Sequence, residues 1–222
     1  ARLLMCGRLA SDVERTPDGD YIGDPTEVAI AALADRARSG NALESEGPQN
    51  RIREIPFDAE RKRMTVVTDG VRPTIWMKGA PEVLLDRCSS VVLNGDTVPL
   101  DEALREIILA DDRRLASKTY RVLGFAARSA TAAEIAEADD EQIENGLTFL
   151  GLQALIDPVR PQVPSAIDDC RGAGIRVLMA TGDNPETARA IAHELGLRSE
   201  HVAHGAELDD VSDEELRSLV EQ

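Results

Sequence analysis

The segment Thr181-Gly182-Asp183-Asn184 combines a hydroxyl donor with a glycine that lets a ligand approach the backbone. The apolar run before it, residues 175–180, is predicted to be a buried parallel strand, and Pro185 is predicted to open a helix after it. In an open α/β sheet the ligand crevice lies beyond the carboxyl ends of the strands, where a helix N-terminus presents free amides. The segment is therefore either a phosphate-contacting loop or a plain strand-to-helix turn capped by Asn184.

A second charged segment, Asp157-Pro158-Val159-Arg160-Pro161, lies upstream of that loop. Its two prolines stiffen the backbone, so the charges of Asp157 and Arg160 are held in fixed directions. This stiffness suits a hinge beside a ligand, and it suits a rigid linker without a ligand equally well.

Two segments in the first half have residues that an adenine nucleotide requires. FDAERKRM begins at Phe57 and contains Lys62, and KGAPE begins at Lys78. Adenine needs an aromatic face and its phosphates need cations, and two of the chain's three lysines fall in these short segments. The alternative is that Phe57 belongs to the core and the basic run is a solvated edge.

Two more residues have open interpretations. Glu27, in GDPTE, is placed either to favour the start of a helix predicted from Pro25 or to accept from an adenine amino group. Arg121, in YRVLGFAAR, is either a charge at a strand edge or a phosphate ligand.

Composition restricts the partners of this 222-residue chain. Its net charge of -16 argues against nucleic acid or an anionic membrane, because both need a basic surface. Three cysteines without paired spacing favour free thiols in a reducing compartment over disulfides or zinc. The longest apolar run, residues 28–34, is far below the roughly 20 residues of a membrane-spanning helix.

The periodicity predicts two domains, residues 1–150 and 151–222. The first is predicted to be mixed α and β with an antiparallel sheet, and the second to alternate strand and helix around a parallel sheet. The acidic stretch 130–146, with six carboxylates and no base, is predicted to be a solvated helical connector. The predicted helices are 25–38, 81–87, 100–115, 163–171, 185–195 and one from Ser212; the predicted strands are 52–57, 64–68, 74–77, 120–127, 147–156 and 175–180, with a hairpin at Asn94-Gly95-Asp96. Because the chain begins inside a helical pattern, it is expected to be a piece of a longer protein.

Taken in order, these motifs resemble the nucleotide-binding and phosphorylation domains of P-type cation-transporting ATPases, particularly the type II subgroup. GDPTE, FDAERKRM, KGAPE, YRVLGFAAR, DPVRP and TGDNPETARAIAHELG follow one another at family-like spacing over essentially the whole chain. The resemblance implies an α+β nucleotide-binding domain, with an antiparallel sheet flanked by helices, followed by a partial α/β haloacid-dehalogenase-like, Rossmann-type domain.

The resemblance also implies roles for individual residues. Phe57 would stack on adenine, Leu123 would pack against the base or sugar, and Arg121 would reach the phosphates. The further residues that the family pattern places at the nucleotide are Thr26, Glu27, Lys62, Lys78 and Gly79. Thr181, Gly182 and Asp183 match the loop that contacts the transferred phosphoryl group, and Asp157 and Arg160 match the hinge beside it. Ala59 stands where the family often has an arginine, which implies weak nucleotide binding, worth roughly 4 kcal/mol at a Kd of about 1 mM.

Some family segments are absent from this sequence. It has no DKTGT segment carrying the aspartate nucleophile and no GDGxND metal loop, and no Walker-type loop replaces them. The chain alone is therefore expected to bind ATP without turnover and to hold no metal or covalently bound cofactor. The resemblance implies ATP with Mg in the intact pump, which would contain the remaining phosphorylation, actuator and transmembrane domains of the same polypeptide. It also implies a place on the cytoplasmic face of a membrane without membrane contact by this piece, and calcium is the preferred transported ion.

Two alternative functions use the same sequence features. One is a self-contained phosphatase of the haloacid-dehalogenase type, although the only DxD here, Asp18-Gly19-Asp20, lies in a polar turn. The other is a nucleotide-sensing domain without catalysis. Flanking hydrophobic segments in the native reading frame would favour the pump over both.

Overall fold

The computed structural model describes residues 1–39, 50–70, 72–118, 120–156, 159–181, 185–197 and 212. The chain divides into two compact units, residues 1–116 with 120–155, and residues 117–119 with 156–222. The helices of the first unit are α1 (Arg2–Leu9), α2 (Pro25–Ser39), α3 (Pro81–Leu85), α4 (Glu102–Ala116), α5 (Ala132–Glu137) and α6 (Asp140–Ile143). Its strands are β1 (Glu14–Arg15), β2 (Tyr21–Ile22), β3 (Arg51–Asp58), β4 (Arg63–Thr68), β5 (Thr74–Gly79), β6 (Cys88–Leu93), β7 (Asp96–Pro99), β8 (Arg121–Ser129) and β9 (Leu147–Leu155).

A seven-stranded sheet in the order β3-β4-β5-β8-β9-β6-β7 organises the first unit. All of its neighbouring pairs are antiparallel except β6 and β9, which run parallel. The hairpin between β6 and β7 turns at Asn94 and Gly95, both with positive φ, as a two-residue turn with the twist of the strands requires. The predicted antiparallel sheet flanked by helices is therefore confirmed.

Helices cover both faces of the sheet, so its central strands are buried on both sides. On one face Val67, Ile75 and Met77 pack with residues of α3 and, at its margin, of α4. On the other face Met64 and Trp76 pack with residues of α1 and α2. Because successive side chains of a strand alternate between faces, neighbouring positions of β4 and β5 contribute to different cores.

The start of α2 follows from its capping residue. Asp24 Oδ1 accepts a hydrogen bond from the Thr26 amide at 2.8 Å, and Pro25 needs no donor at the first helical position. Burial alone would raise the pKa of Asp24, but the hydrogen bonds from Thr26 and Glu27 outweigh that effect and lower it. The cap therefore fixes the position from which Thr26 and Glu27 project.

Two strand predictions need correction. The segment predicted at 147–156 is a strand, β9, but it completes the sheet of the first unit instead of opening a second sheet. The strand predicted at 175–180 is wrong, because these residues have no regular secondary structure and Ile175 and Leu178 are exposed. A buried strand needs hydrogen-bonded neighbours, and the described residues of the second unit include no other strand for it to pair with.

The predicted solvated connector at 130–146 also differs in the structure. It forms the short helices α5 and α6, each opened by a side-chain cap, and it buries Ile143 and Glu144 against the sheet. Five arginines from the sheet strands and their connections bind this segment: Arg53, Arg61, Arg63, Arg87 and Arg128. The predicted helices are confirmed and most of the segment is exposed, but its buried residues were not predicted, because the arginines that neutralise its carboxylates are distant in the sequence.

The described part of the second unit contains two helices, α7 (Val163–Gly172) and α8 (Pro185–Glu194), both near their predicted bounds. Each is followed by a glycine with positive φ, Gly174 and Gly196, which is the usual way for a helix to end. The helix predicted from Ser212 lies outside the described residues. Among the described residues no helix is long and apolar enough to cross a membrane.

Candidate functional site

A cleft of about 400 Å³ lies in the first unit, where β3, β5 and β8 meet α3 and α4. Its residues come from three stretches of the sequence, 57–62, 79–82 and 112–123. The residues lining it are Phe57, Lys62, Gly79, Ala80, Pro81, Glu82, Asp112, Ala116, Val122 and Leu123. Four of the residues predicted to contact a nucleotide are among them: Phe57, Lys62, Gly79 and Leu123.

Phe57 exposes an aromatic ring on the cleft wall. Its side chain lies at the end of the edge strand β3, and the residue is 63% exposed although Ile55, two positions earlier, is buried. The pairing of β3 with β4 shifts register between Ile55 and Asp58, and Pro56 donates no hydrogen bond in that interval. The Phe57 ring is therefore available for stacking. The alternative interpretation, that Phe57 belongs to the core, is wrong.

A tight turn after β3 places Lys62 on the cleft. Asp58 Oδ1 accepts from the amides of Glu60 and Arg61 at 2.9 and 2.8 Å, and the Lys62 amide donates to the Asp58 carbonyl at 2.7 Å. Lys62 has φ of 51°, a left-handed conformation that is uncommon for lysine. The turn thus holds a cationic side chain at the cleft through an unfavourable backbone conformation, a feature often found at functional sites.

Gly79 lets this turn pack directly against the end of β5. The Ala80 amide donates to the Lys62 carbonyl at 3.0 Å, so the two predicted motifs are joined by a backbone hydrogen bond. A Cβ atom at Gly79 would overlap the Lys62 carbonyl oxygen and lie 2.9 Å from Arg63 Cα. A glycine is required here by the close approach of two backbones.

Two carboxylates also line the cleft, and both were missed by the sequence analysis. Glu82 Oε1 lies 3.6 Å from Lys62 Nζ, while Asp112 projects from α4. Burial and the neighbouring Glu82 raise the pKa of Asp112, and Arg113 only partly offsets them. Glu82 belongs to KGAPE and could have been included, but nothing in the sequence distinguishes Asp112 from other helix-surface acids.

The other predicted nucleotide contacts form a cluster at the start of α2. The Lys78 ammonium is almost buried and forms an ion pair with Glu27, and it lies 3.4 Å from Ser11 Oγ. Glu27 Oε2 also accepts from the Asp12 amide at 2.8 Å. Both charged groups are thus satisfied by protein partners in this structure.

Arg121 connects this cluster to β8. It is the first residue of that strand, and its Nη1 donates to Thr26 Oγ1 at 2.9 Å. The structure therefore brings Thr26 and Arg121 together. Arg121 precedes Leu123, which lines the cleft, by two positions on β8. The predicted nucleotide residues fall into two sets, one lining the cleft and one at the start of α2.

The phosphoryl-loop prediction can be followed only in part. Thr181 and Arg160 are exposed in the second unit. Asp157, Gly182 and Asp183 lie outside the described residues, so their roles stay predictions. Within the described residues, no group of three or more histidine, cysteine or acidic side chains could hold a metal ion.

The lining of the cleft has the chemistry of a binding site. Phe57, Val122 and Leu123 offer apolar surface, the Lys62 ammonium offers a cation, and Glu82 and Asp112 offer hydrogen-bond acceptors. An aromatic and aliphatic wall with a few polar groups suits a planar heterocycle carrying polar substituents.

The helix-flanked, mostly antiparallel sheet with its cleft defines an α+β domain with a candidate ligand site. Comparison with known proteins gives its family. A model described as P-type ATPase, cytoplasmic domain N, matches residues 1–162. The calcium-transporting ATPase 1 of Lactococcus lactis subsp. lactis is 37% identical over 226 residues, covering 99% of this chain and 25% of the relative. The calcium-transporting ATPase of Bacillus subtilis is 40% identical over 230 residues with the same coverages. A sodium/potassium-transporting ATPase subunit alpha-A from Artemia franciscana is 36% identical over 190 residues, covering 82% of this chain and 19% of that protein.

The chain belongs to the P-type cation ATPase family, and the resemblance predicted from its motifs is confirmed. It spans about a quarter of the length of the calcium-transporting relatives it matches.

Proposed function

We propose that the first unit binds an adenine nucleotide in the cleft, with adenine stacked on Phe57. The observation that carries this proposal is the exposed Phe57 ring facing a cleft of about 400 Å³ that also contains Lys62, Gly79 and Leu123. That volume lies within the range of small-molecule pockets. Lys62 is the cation placed to meet the phosphates, and Leu123 packs against the base or sugar.

We assign Thr26, Glu27, Lys78 and Arg121 to the same proposed site, as the family pattern implies. Arg121 already holds a hydroxyl acceptor, Thr26 Oγ1, and a nucleotide phosphate would be a stronger one because its hydrogen bond is charge-assisted. Lys78 and Glu27 form an ion pair with each other, so we expect them mainly to hold in place the end of β5, where Gly79 lines the cleft.

In the parent protein, the bound ATP is presented for phosphorylation of an aspartate that this chain does not contain, and the reaction drives cation transport. Thr181, Gly182 and Asp183 are proposed to contact the transferred phosphoryl group in a haloacid-dehalogenase-like domain, with Asp157 and Arg160 at its hinge. Mg would arrive with the nucleotide, and we assign it no ligand among the described residues. The domain would lie on the cytoplasmic side of the membrane, and calcium, named in the two bacterial relatives, is the proposed ion.

A nucleotide titration followed by NMR tests the binding proposal. Phe57→Ala should weaken ATP binding about fivefold or more, since stacking of a base on an aromatic ring contributes on the order of 1–3 kcal/mol. Ile52→Ala is the matched control, because Ile52 is an exposed apolar residue on the same strand but outside the cleft lining, and it should leave the affinity unchanged.

Absence of any ATP-dependent shift at several millimolar would contradict the binding proposal, as would equal effects of the two substitutions. The chain alone is expected to form no phosphoenzyme, and detection of a phosphorylated residue after incubation with Mg-ATP would contradict that expectation.

A further inference from the structure

Glu144 is a buried carboxylate that the cleft itself does not use. Its side chain is only 1% exposed, although it lies in the acidic segment between α6 and β9. Arg63 Nε donates to Glu144 Oε2 at 2.7 Å, and Thr65 Oγ1 donates to Oε1 at 2.7 Å. Arg61 Nη2 also donates to Oε1. Both oxygens of the carboxylate therefore have donors, and two of the donors are guanidinium groups.

The backbone around Glu144 is fixed independently of these bonds. A capping box between Asp139 and Gln142 opens α6 just before it. From β8, Arg128 donates to the carbonyls of Ile143 and Asn145 on either side, at 3.2 and 2.8 Å. Glu144 is therefore a fixed anchor to which other groups are attached, and not a mobile surface acid.

The two arginines that Glu144 binds stand on either side of Lys62. Arg61 belongs to the turn after β3 and Arg63 opens β4, while Lys62 between them lines the cleft with a left-handed backbone. A carboxylate that pairs with both neighbours restricts the backbone and the direction of the residue between them. Charge-assisted bonds to guanidinium groups are among the stronger and more directional contacts in proteins.

We propose that Glu144 is a positioning residue for the nucleotide cleft. By binding Arg61 and Arg63, it holds the turn of residues 58–62 in the conformation that directs Lys62 toward the nucleotide phosphates. This inference rests on the proposed function, because it names the group that places one of its cationic contacts. Glu144 itself does not touch the nucleotide.

Arg61→Gln and Arg53→Gln form a matched pair for the first test. Both arginines bind the same acidic segment, and their side chains are 30% and 29% exposed. Only Arg61 belongs to the turn that carries Lys62. In the full chain, Arg61→Gln should weaken ATP binding about three- to fivefold, because Lys62 would lose an exposed ionic contact with the nucleotide phosphates. Arg53→Gln should leave the affinity unchanged.

A double-mutant cycle with Lys62→Ala separates positioning from general loss of structure. If Glu144 and Arg61 act through Lys62, then Glu144→Gln and Arg61→Gln should each cost little further affinity once Lys62 is alanine. The amide resonance of Lys62 should also move in Glu144→Gln, whose substituted residue is distant from Lys62 in the sequence. A purely structural effect would instead lower the affinity equally in the presence and absence of the Lys62 side chain.

The outcomes distinguish this inference from the proposed function. If the unsubstituted chain binds ATP and Phe57→Ala weakens binding, but the Arg61→Gln effect is additive with Lys62→Ala or equals that of Arg53→Gln, the positioning role is overturned and the function stands. If the unsubstituted chain shows no ATP response, both fail. Should Glu144→Gln not fold, the cycle between Arg61 and Lys62 decides the question alone.

Discussion

Lys62 illustrates how a few cations can serve a chain with a strong acidic excess. The sequence contains three lysines against 22 arginines, and most described arginines near the sheet are paired with carboxylates or carbonyls. Among the residues that the structure describes, the ion-pair partner of the Lys62 ammonium is Glu82, at 3.6 Å, and both side chains are more than half exposed. The ammonium therefore stays available to a ligand at low cost, but a neighbouring carboxylate competes for it.

Replacing Glu82 by glutamine should therefore strengthen ATP binding. The substitution removes the competing partner of Lys62 and one negative charge from the cleft, and we expect about a twofold lower Kd because the contact is exposed. Glu106→Gln is the control, since Glu106 is an exposed carboxylate that does not line the cleft. An NMR titration in which Glu82→Gln weakened binding would show that the carboxylate contacts the nucleotide directly.

The buried pair of Lys78 and Glu27 should behave differently from surface pairs. Glu27→Gln leaves a nearly buried ammonium without its counter-ion and should lower the free energy of unfolding by about 3 kcal/mol. Adding Lys78→Met should recover part of that loss, because the unpaired charge is then removed. Glu54→Gln, which affects an exposed pair with Arg51, should cost under about 1 kcal/mol. Urea denaturation is measured on the parent, Glu27→Gln, Lys78→Met, the double variant and Glu54→Gln. A loss in the double variant equal to the sum of the two single losses would contradict the coupling.

The Cys6 thiol provides a pH-dependent prediction. Burial raises its pKa from 9.0 to about 12. A group with a raised folded-state pKa stabilises the fold below its unfolded pKa, and that contribution is lost as the pH rises from about 9 toward 12. The unfolding free energy, measured in urea under reducing conditions, should therefore fall less between pH 8 and 10 in Cys6→Ala than in the parent. Equal losses would rule out Cys6 as a source of the alkaline destabilisation.

At the scale of elements, the site depends on the contact between the turn after β3 and the end of β5. Gly79→Ala should place a methyl group against the Lys62 carbonyl and force the turn away. We expect a destabilisation of about 1–3 kcal/mol, as for other overpacked positions, together with weaker ATP binding. Gly95→Ala is a useful comparison, because its Cβ would meet no neighbouring atom and only its positive φ is strained. Unchanged ATP affinity in Gly79→Ala would show that the turn does not position the binding residues.

The secondary structure of the first unit could be predicted because local signals agree with the tertiary fold. Asp24 and Pro25 mark the start of α2, and Asn94 and Gly95 mark the hairpin between β6 and β7. The pairing of β9 could not be predicted, because an apolar strand does not specify which sheet it joins. The burial of Glu144 was equally hidden, since its partners Arg61 and Arg63 are about eighty residues away in the sequence.

The site shows the same division between local and distant information. Phe57, Lys62, Gly79 and Leu123 were predicted from motifs, and the structure places them around one cleft. Asp112 was not predicted, because an acid on an exposed helix face has no distinguishing pattern until α4 is packed beside α3. Cleft residues that belong to a family motif could therefore be predicted from the sequence. Cleft residues that reach the site only through the packing of the fold could not.

At the scale of the whole molecule, the acidic composition has two separate consequences. Part of the excess lies in the segment 130–146, where arginines neutralise it and it becomes a structural part of the first unit. The rest leaves a surface that repels anions in general, so that a nucleotide must be held by local groups. This combination agrees with the proposed binding of a nucleotide by a few local groups of the first unit.

The most direct test of the central claim is a crystal structure of the 222-residue chain with a bound non-hydrolysable ATP analogue. We predict the adenine ring stacked on Phe57 within the cleft, with the phosphates on the side of Lys62. An analogue bound elsewhere on the chain, with the cleft empty and the Phe57 ring uncovered, would contradict the account.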